Sequence, residues 1–125
     1  MPGVDPRLDH LIDTYCLAWS DPSPERRHEL LATVWAPGAT YTDPTVHTVG
    51  ADELLAHIST VIARRPGSQV LRTSPLDTHH NLTRFAWHVL QADGTTLPEG
   101  LDLAEFSADG RISRIIGFFG PIHTM

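Results

Sequence analysis

The hydrophobic pattern of this chain changes its period near residue 68, and this change constrains the fold more than any other feature. Beyond it, apolar and polar residues alternate, as expected of strands with one buried face. Four runs show this pattern, at residues 68–78, 82–92, 96–106 and 111–119. The turns between them are short and rich in Asn, Asp and Gly, and such turns join antiparallel neighbours. We therefore predict an antiparallel meander in the second half of the chain.

The first half of the chain carries helical signals instead. Asp5 and Ser23 each precede a proline, and a capping side chain followed by proline is typical of a helix N-terminus. A third amphipathic run begins after Gly50 and is stopped by Pro66. A short strand that ends at Asp43 separates this run from the second helix.

Helices that cover one face of a curled sheet leave a cone-shaped space between the two layers. With 125 residues, of which 41% are hydrophobic, the chain is large enough to bury one core. We predict a single α+β domain over residues 1–125. In this fold three N-terminal helices pack on a curved antiparallel sheet and enclose a pocket for a small apolar molecule.

The charge and cysteine content exclude several classes of function. The formal net charge is −6 and only nine residues are basic, whereas nucleic acids and anionic membranes bind clustered positive charge. A single cysteine cannot form an intrachain disulfide, and no apolar run is long enough to span a membrane. The first residues lack the pattern of a signal peptide. We expect a cytoplasmic protein without nucleic-acid or membrane partners.

Cofactor and metal motifs are not recognisable in the sequence. The chain has no glycine-rich phosphate loop, no Walker pattern and no Cys-x-x-Cys pair. His79 and His80 are adjacent, so on a strand they would point to opposite faces and would not share a metal ion. We expect no cofactor and no metal, and therefore either chemistry carried by side chains alone or simple binding.

Two carboxylates stand on apolar strand faces. Asp43 shares a face with Ala39 and Tyr41, and it either caps the turn before the next proline or lies at the mouth of the pocket. Asp102 shares a face with Ala104, where an unpaired buried carboxylate would be costly. A carboxylate in an apolar space has a raised pKa and can act as a base near neutral pH or as a neutral donor.

The order of elements and several local stretches resemble the NTF2-like superfamily, specifically its SnoaL-like and ketosteroid-isomerase-like branch. Two of these stretches are WAPGATYTDP after the second helix and FSADGRISRIIGFFG at the last hairpin. Ketosteroid isomerases carry a tyrosine on the first helix, an Asp-Pro pair at the end of the first strand, and an aspartate four residues before the phenylalanine of the last hairpin. Tyr15, Asp43 and Asp102 match these three places.

This resemblance implies a cofactor-free isomerase, cyclase or dehydratase that acts on a small apolar carbonyl compound. It would make Asp43 the general base that removes a proton from the carbon next to the carbonyl. Tyr15 and a protonated Asp102 would donate hydrogen bonds to the enolate oxygen, as in ketosteroid isomerase.

Two histidines fall where a steroid isomerase would have apolar lining. His57 lies on the inner part of the third helix and His88 lies in the strand RFAWHVL. Near Asp102, either could form an acid/base pair, because imidazole titrates close to neutral pH. Trp19 and Phe119 are further candidates for the pocket wall.

Two other functions remain open at this point. The pocket could bind or sequester a small molecule without reacting with it. It could also hold a limonene-type epoxide hydrolase site, which requires an arginine between two aspartates. Arg72 or Arg84 would supply that guanidinium only if its side chain points inward.

The face of the sheet outside the cone is expected to be partly apolar. Alternation in the second run groups four residues on one face, namely Thr83, Phe85, Trp87 and Val89. We assign this patch to the outer face and expect a homodimer that packs through its sheet.

Overall fold

The computed structural model describes residues 5–125. Three α-helices in this range cover Pro6–Ala18 (α1), Pro24–Val34 (α2) and Ala51–Arg64 (α3). Seven β-strands cover Trp35–Asp43 (β1), Val46–Val49 (β2), Gln69–Arg72 (β3), Asp77–His79 (β4), Leu82–Leu90 (β5), Gly100–Phe106 (β6) and Ile112–Phe118 (β7). The α+β class is confirmed. The helices are not all N-terminal, however, because α3 lies between β2 and β3.

The helix N-termini follow the capping signals in the sequence. Asp5 accepts a hydrogen bond from the Arg7 amide at 2.9 Å, and Ser23 accepts one from the Arg26 amide at 3.2 Å. Both caps are followed by proline at the first helical position, where a missing N–H costs nothing. Gly50 precedes α3 with a φ of +84°, a conformation that a residue with a side chain rarely adopts.

The strands form one sheet in the order β2-β1-β7-β6-β5-β3, and β4 pairs with β5 as well. All pairs are antiparallel except β1 and β7, which run parallel. The prediction of a wholly antiparallel sheet was therefore wrong at this one pair. The register shifts between Trp35 and Thr40 on β1 and between Glu105 and Phe106 on β6, and such irregularities bend a sheet.

The predicted strand runs are shorter in the structure than in the sequence. The run 68–78 is divided into β3 and β4 by four residues that include Pro75, which cannot donate to a ladder. The run 96–106 becomes a strand only from Gly100, directly after Pro98 and Glu99. Proline cannot donate to the ladder, so the strand begins only after it.

The core lies between the helices and one face of the sheet. Its largest fully buried apolar side chains come from α1, α2, α3 and the two strands β5 and β7, namely Ile12, Tyr15, Leu31, Leu54, Ile58, Phe85, Ile112 and Ile115. Burial of each such side chain contributes about 1.5–3 kcal/mol. Within residues 5–125, no helix has both the length and the hydropathy that a membrane crossing requires.

Candidate functional site

A cavity of about 790 Å³ opens between α1, α3 and the inner face of the sheet. Its size lies in the range typical of small-molecule sites. Most of the site residues proposed from the sequence line it, namely Tyr15, Trp19, Asp43, His57, Asp102 and Phe119. His88 does not line it. The cavity wall is largely apolar, with Val61, Val70, Val89 and Leu97 among its members.

Aromatic contacts fix the wall that α1 contributes. Tyr15 and Trp19 lie one turn apart on this helix, so both face the sheet. Tyr15 is buried and stacks on Trp35 with ring centroids 5.8 Å apart. Trp19 packs against Tyr41 of β1 at 5.3 Å and meets His57 of α3 edge-on at 5.8 Å. The rings therefore join α1, α3 and β1 around the cavity.

The two oxygens of Asp43 have different partners. Oδ1 accepts hydrogen bonds from the amide and hydroxyl of Thr45, both at 2.7 Å, and from the amide of Val46 at 3.2 Å. Oδ2 accepts a hydrogen bond from the Tyr41 hydroxyl at 2.6 Å and lies 4.0 Å from His57 Nε2. Asp43 thus caps the turn after β1 with one oxygen and borders the cavity with the other.

Gly117 of β7 brings Asp43 and Asp102 into one space. In the ladders Asp102 pairs with Gly117, and Thr42 pairs with Ile116 on the other side of β7. A Cβ atom at Gly117 would lie 2.8 Å from Asp102 Oδ1 and 3.7 Å from both Asp43 Cβ and the Tyr41 hydroxyl. The missing side chain therefore leaves room for Asp43 and Asp102 to approach the same position and to line one cavity.

The surroundings of Asp102 favour its protonated form. Burial raises the pKa of Asp102, the hydrogen bond from Trp87 lowers it and the negative charge of Asp43 raises it, and together these effects bring the pKa to about 7. That bond runs from Trp87 Nε1 to Asp102 Oδ1 at 2.8 Å. Near neutral pH the group can therefore be a carboxylic acid, which donates a hydrogen bond through Oδ2.

The tyrosines at the site remain neutral phenols. Burial raises the pKa of Tyr15 well above its ordinary value, and the charge of Asp102 adds to this effect, while the Trp19 indole acts against it. Burial likewise raises the pKa of Tyr41, with Asp102 and Asp43 as further causes. Trp19 Nε1 is buried without a hydrogen-bond partner in the described part of the chain. The cavity thus contains several O–H and N–H donors for an oxygen atom.

The assignments of His88 and of the β5 patch were wrong. Trp87 and Val89 line the cavity and Phe85 is buried, so this face of β5 points inward. His88 lies between Trp87 and Val89 and therefore points to the opposite face. Alternation shows which residues of a strand share a face, but it does not show which face is inside. Both faces of β5 carry apolar residues, and for this reason the sequence pattern indicated the wrong face of β5 for the cavity.

Neither arginine that an epoxide hydrolase site would need lies in the cavity. Arg72 pairs with Asp9 at 3.0 Å and with Asp13 at 2.9 Å on α1. Arg84 is exposed and pairs with Asp77 of β4 at 2.8 Å. No guanidinium from these two residues stands between Asp43 and Asp102, so neither arginine that the sequence offered for this alternative can serve it.

Sequence reasoning missed three residues of the site. Tyr41 shares a strand face with Asp43, and its hydroxyl could have been expected beside that carboxylate. Gly117 interrupts an apolar strand, which is a known signal for close approach of other groups. Trp87 carried no signal, because its hydrogen bond to Asp102 depends on which face of β5 is buried.

A metal centre finds no support in the described residues. Within residues 5–125, no group of three His, Cys, Asp or Glu side chains converges closely enough to hold an ion. The groups that do converge are two carboxylates, two phenols, an imidazole and indole N–H groups. These can accept, donate and transfer protons.

Comparison with known proteins gives matches among solved structures. No protein-family model matches the chain, and no curated protein matches it. A protein of the SnoaL-like family from Agrobacterium tumefaciens strain C58, proposed to be an isomerase, is 30% identical. The match covers 90% of this chain and 96% of that protein, with a TM-score of 0.84. This level of identity over nearly the whole length shows a shared family.

More distant matches share the fold alone. An NTF2-like protein of unknown function from Exiguobacterium sp. 255-15 is 20% identical, with 94% of this chain and 98% of that one covered and a TM-score of 0.67. A proposed polyketide cyclase from Sinorhizobium meliloti is 16% identical, with 86% and 93% covered and a TM-score of 0.68.

Proposed function

The chain belongs to the SnoaL-like family, and from this premise we propose that it is a cofactor-free enzyme of isomerase, cyclase or dehydratase type. Its substrate is a small apolar carbonyl compound that binds in the cavity. The observation that carries this proposal is the convergence of Asp43 and Asp102 around Gly117 inside a largely apolar wall. Two carboxylates in unlike surroundings can divide the roles of base and acid.

The first step is removal of a proton from the carbon next to the carbonyl. Oδ2 of Asp43 takes this proton, because Oδ1 is occupied by the turn. The electron pair of the broken C–H bond moves toward the carbonyl, whose oxygen becomes an enolate oxygen. His57 Nε2 lies 4.0 Å from Oδ2, so this imidazole stands beside the base.

The enolate oxygen needs donors in a space with little water. A protonated Asp102 supplies one through Oδ2, because Trp87 already donates to Oδ1. The Tyr15 hydroxyl supplies a second. Return of the proton from Asp43 to another carbon of the conjugated enolate completes an isomerisation. Attack of the enolate carbon on a second carbonyl group forms a C–C bond and an alkoxide, which takes the proton from Asp43 and completes a cyclisation. Both outcomes use the same first step.

Exchange of α-protons for deuterium tests this step directly. Wild-type protein in D₂O should exchange the α-protons of 2-nonanone, followed by proton NMR. Asp43→Asn should lower the rate at least about 100-fold, the usual contribution of a positioned base. Asparagine keeps an oxygen for the Thr45 and Val46 amides, so the turn is retained.

Asp77→Asn is the matched control, because this carboxylate is exposed and pairs with Arg84. It should leave the exchange rate unchanged. Equal exchange by the wild type and Asp43→Asn would remove Asp43 as the base. Binding of 2-nonanone without any exchange would instead make the cavity a binding site without catalysis, which is the second candidate function.

A further inference from the structure

We infer that the physiological substrate is a carbonyl compound with a mainly apolar chain that ends in a carboxylate, roughly 10 Å from the reacting carbonyl, and that Arg64 and Arg65 bind this group. The inference rests on the proposed function for the other end of the cavity. Both arginines line the cavity, at the C-terminal end of α3 and in the residue after it. Two consecutive arginines thus form part of the wall of a largely apolar cavity.

One face of α3 runs along the cavity from the base to these arginines. His57, Val61 and Arg64 stand four and then three residues apart, which is the spacing of a single helix face, and all three line the cavity. The seven residues from His57 to Arg64 correspond to roughly 10 Å along the helix. Because His57 lies 4.0 Å from Asp43 Oδ2, this rise gives the distance between the reacting end and the cationic end.

The two arginines are exceptional in this chain. All nine basic residues are arginines, and six of them form ion pairs with carboxylates. Arg27 is buried and donates to the Asp21 carbonyl at 2.8 Å and to the Ser59 hydroxyl at 3.1 Å. Among the described residues, the Arg65 side chain donates only to the neutral side chain of Gln91, at 2.9 Å. Arg64 has no ion pair or hydrogen bond from its side chain within residues 5–125.

Unpaired guanidinium groups are unexpected on a surface with an excess of acid. The chain has 15 acidic residues and a net charge of −6, so carboxylates for pairing are abundant. A planar guanidinium matches a carboxylate through two parallel hydrogen bonds. Binding at this end would also orient the substrate, because the carboxylate of Asp43 at the other end repels an anion.

A purely structural role for Arg64 has different consequences. Arg64 lies in the last turn of α3, where a positive charge stabilises the helix through its dipole. That role would lower stability when the charge is removed, but it would not depend on the charge of a ligand. The experiment must therefore compare two ligands that differ only in the carboxylate.

The two probes are 8-oxononanoate and 2-nonanone, which share a methyl ketone and a nine-carbon chain. Their binding to the full chain can be followed by tryptophan fluorescence, since Trp19 and Trp87 line the cavity. Wild type should bind 8-oxononanoate about tenfold more tightly, and added salt should reduce the difference. Arg64→Gln with Arg65→Gln should abolish the preference and leave the affinity for 2-nonanone unchanged.

Arg84→Gln is the matched control, because it removes an exposed arginine that lies outside the cavity. It should keep the preference for 8-oxononanoate. Equal affinities of the wild type for the two probes would overturn the inference, and so would an equal loss for both probes in the double variant. Neither result depends on catalysis, so loss of deuterium exchange at 2-nonanone would count against the proposed reaction alone.

Discussion

Asp102 combines deep burial with a hydrogen bond to only one of its oxygens. The residue is 5% exposed and accepts from Trp87 Nε1 through Oδ1. A charged form is poorly solvated there, which is why its pKa is raised to about 7. The same property that makes Asp102 a donor in the proposed reaction must therefore make the folded protein sensitive to pH.

Replacement of Asp102 by asparagine should change how stability depends on pH. Between the ordinary pKa of 3.8 and the folded pKa of about 7, the folded chain holds more protons than the unfolded chain. The free energy of unfolding therefore falls as the pH rises through this window, by up to roughly 4 kcal/mol at about 1.4 kcal/mol per pH unit. The Asp102→Asn variant has no group that titrates at this position, so its free energy of unfolding does not fall in this window for this reason. Its side-chain oxygen can still accept the hydrogen bond from Trp87.

Urea unfolding at pH 4, 6 and 8 measures this effect. The stability of Asp102→Asn relative to wild type should rise with pH and level off above about pH 7, following the folded pKa. Asp77→Asn, which alters an exposed carboxylate, should follow the wild type. Parallel profiles for wild type and Asp102→Asn would show that Asp102 titrates normally in the folded state.

The sequence predicts the acidic residues of the site better than it predicts their neighbours. Asp43 and Asp102 stand out because a carboxylate on an apolar strand face needs an explanation. Trp87 and His88 do not stand out, since the orientation of β5 decides which of the two side chains faces the cavity. That orientation is set by packing against the helices, and no local pattern of residues records it.

Among the elements, β7 holds the site together. It pairs with β1 on one side and with β6 on the other, so it separates the strand of Asp43 from the strand of Asp102. Gly117 is the position on β7 where both carboxylates approach. Any side chain at this position would enter the space between them.

Gly117→Ala should destabilise the protein by about 1–3 kcal/mol, as overpacking does. Its Cβ would lie 2.8 Å from Asp102 Oδ1, and the conformation of Gly117 is one that alanine accepts, since its φ is not positive. The double variant Gly117→Ala with Asp102→Ala lacks the oxygen that clashes with the new Cβ. Its free energy of unfolding should therefore recover part of what Gly117→Ala loses. A double-mutant cycle by urea unfolding measures this coupling, and strictly additive effects would contradict the close approach.

Turn signals account for most of the elements that could be predicted. The Asp-Gly turns at 93–94 and 109–110 indicate which strands are antiparallel neighbours, and β5, β6 and β7 pair accordingly. The parallel pairing of β1 with β7 joins residues far apart in the chain and has no turn to announce it. The sequence therefore predicts the antiparallel meander but not the parallel pairing of β7 with β1.

At the scale of the whole molecule, the outer face of the sheet is the surface most suited to self-association. Leu101 and Leu103 of β6 lie opposite Phe118 and Ile116 of β7. They alternate with Asp102, which lines the cavity, so they point away from it. Phe118 is 52% exposed. We propose that the homodimer expected from the sequence forms through these residues rather than through Thr83, Phe85, Trp87 and Val89.

Light scattering at micromolar concentration tests this assembly. Wild type should have the mass of a dimer, and Leu103→Glu should have the mass of a monomer, because a charge would be buried at the centre of the contact. Val49→Glu is the control, since Val49 is also an exposed apolar residue but lies on the edge strand β2. A monomeric wild type would refute the proposal.

The pairing of β1 with β7 also determines when the site can exist. Asp43 leaves the ribosome early, but the strand that places it opposite Asp102 is the last strand of the sheet. Until residues 112–118 emerge, the edge of β1 that pairs with β7 has no hydrogen-bonding partner. Folding of this sheet must therefore await nearly the whole described chain, and long-range pairing of this kind is slow. A nascent chain cannot begin to bind or react with a ligand before synthesis has passed its final strand.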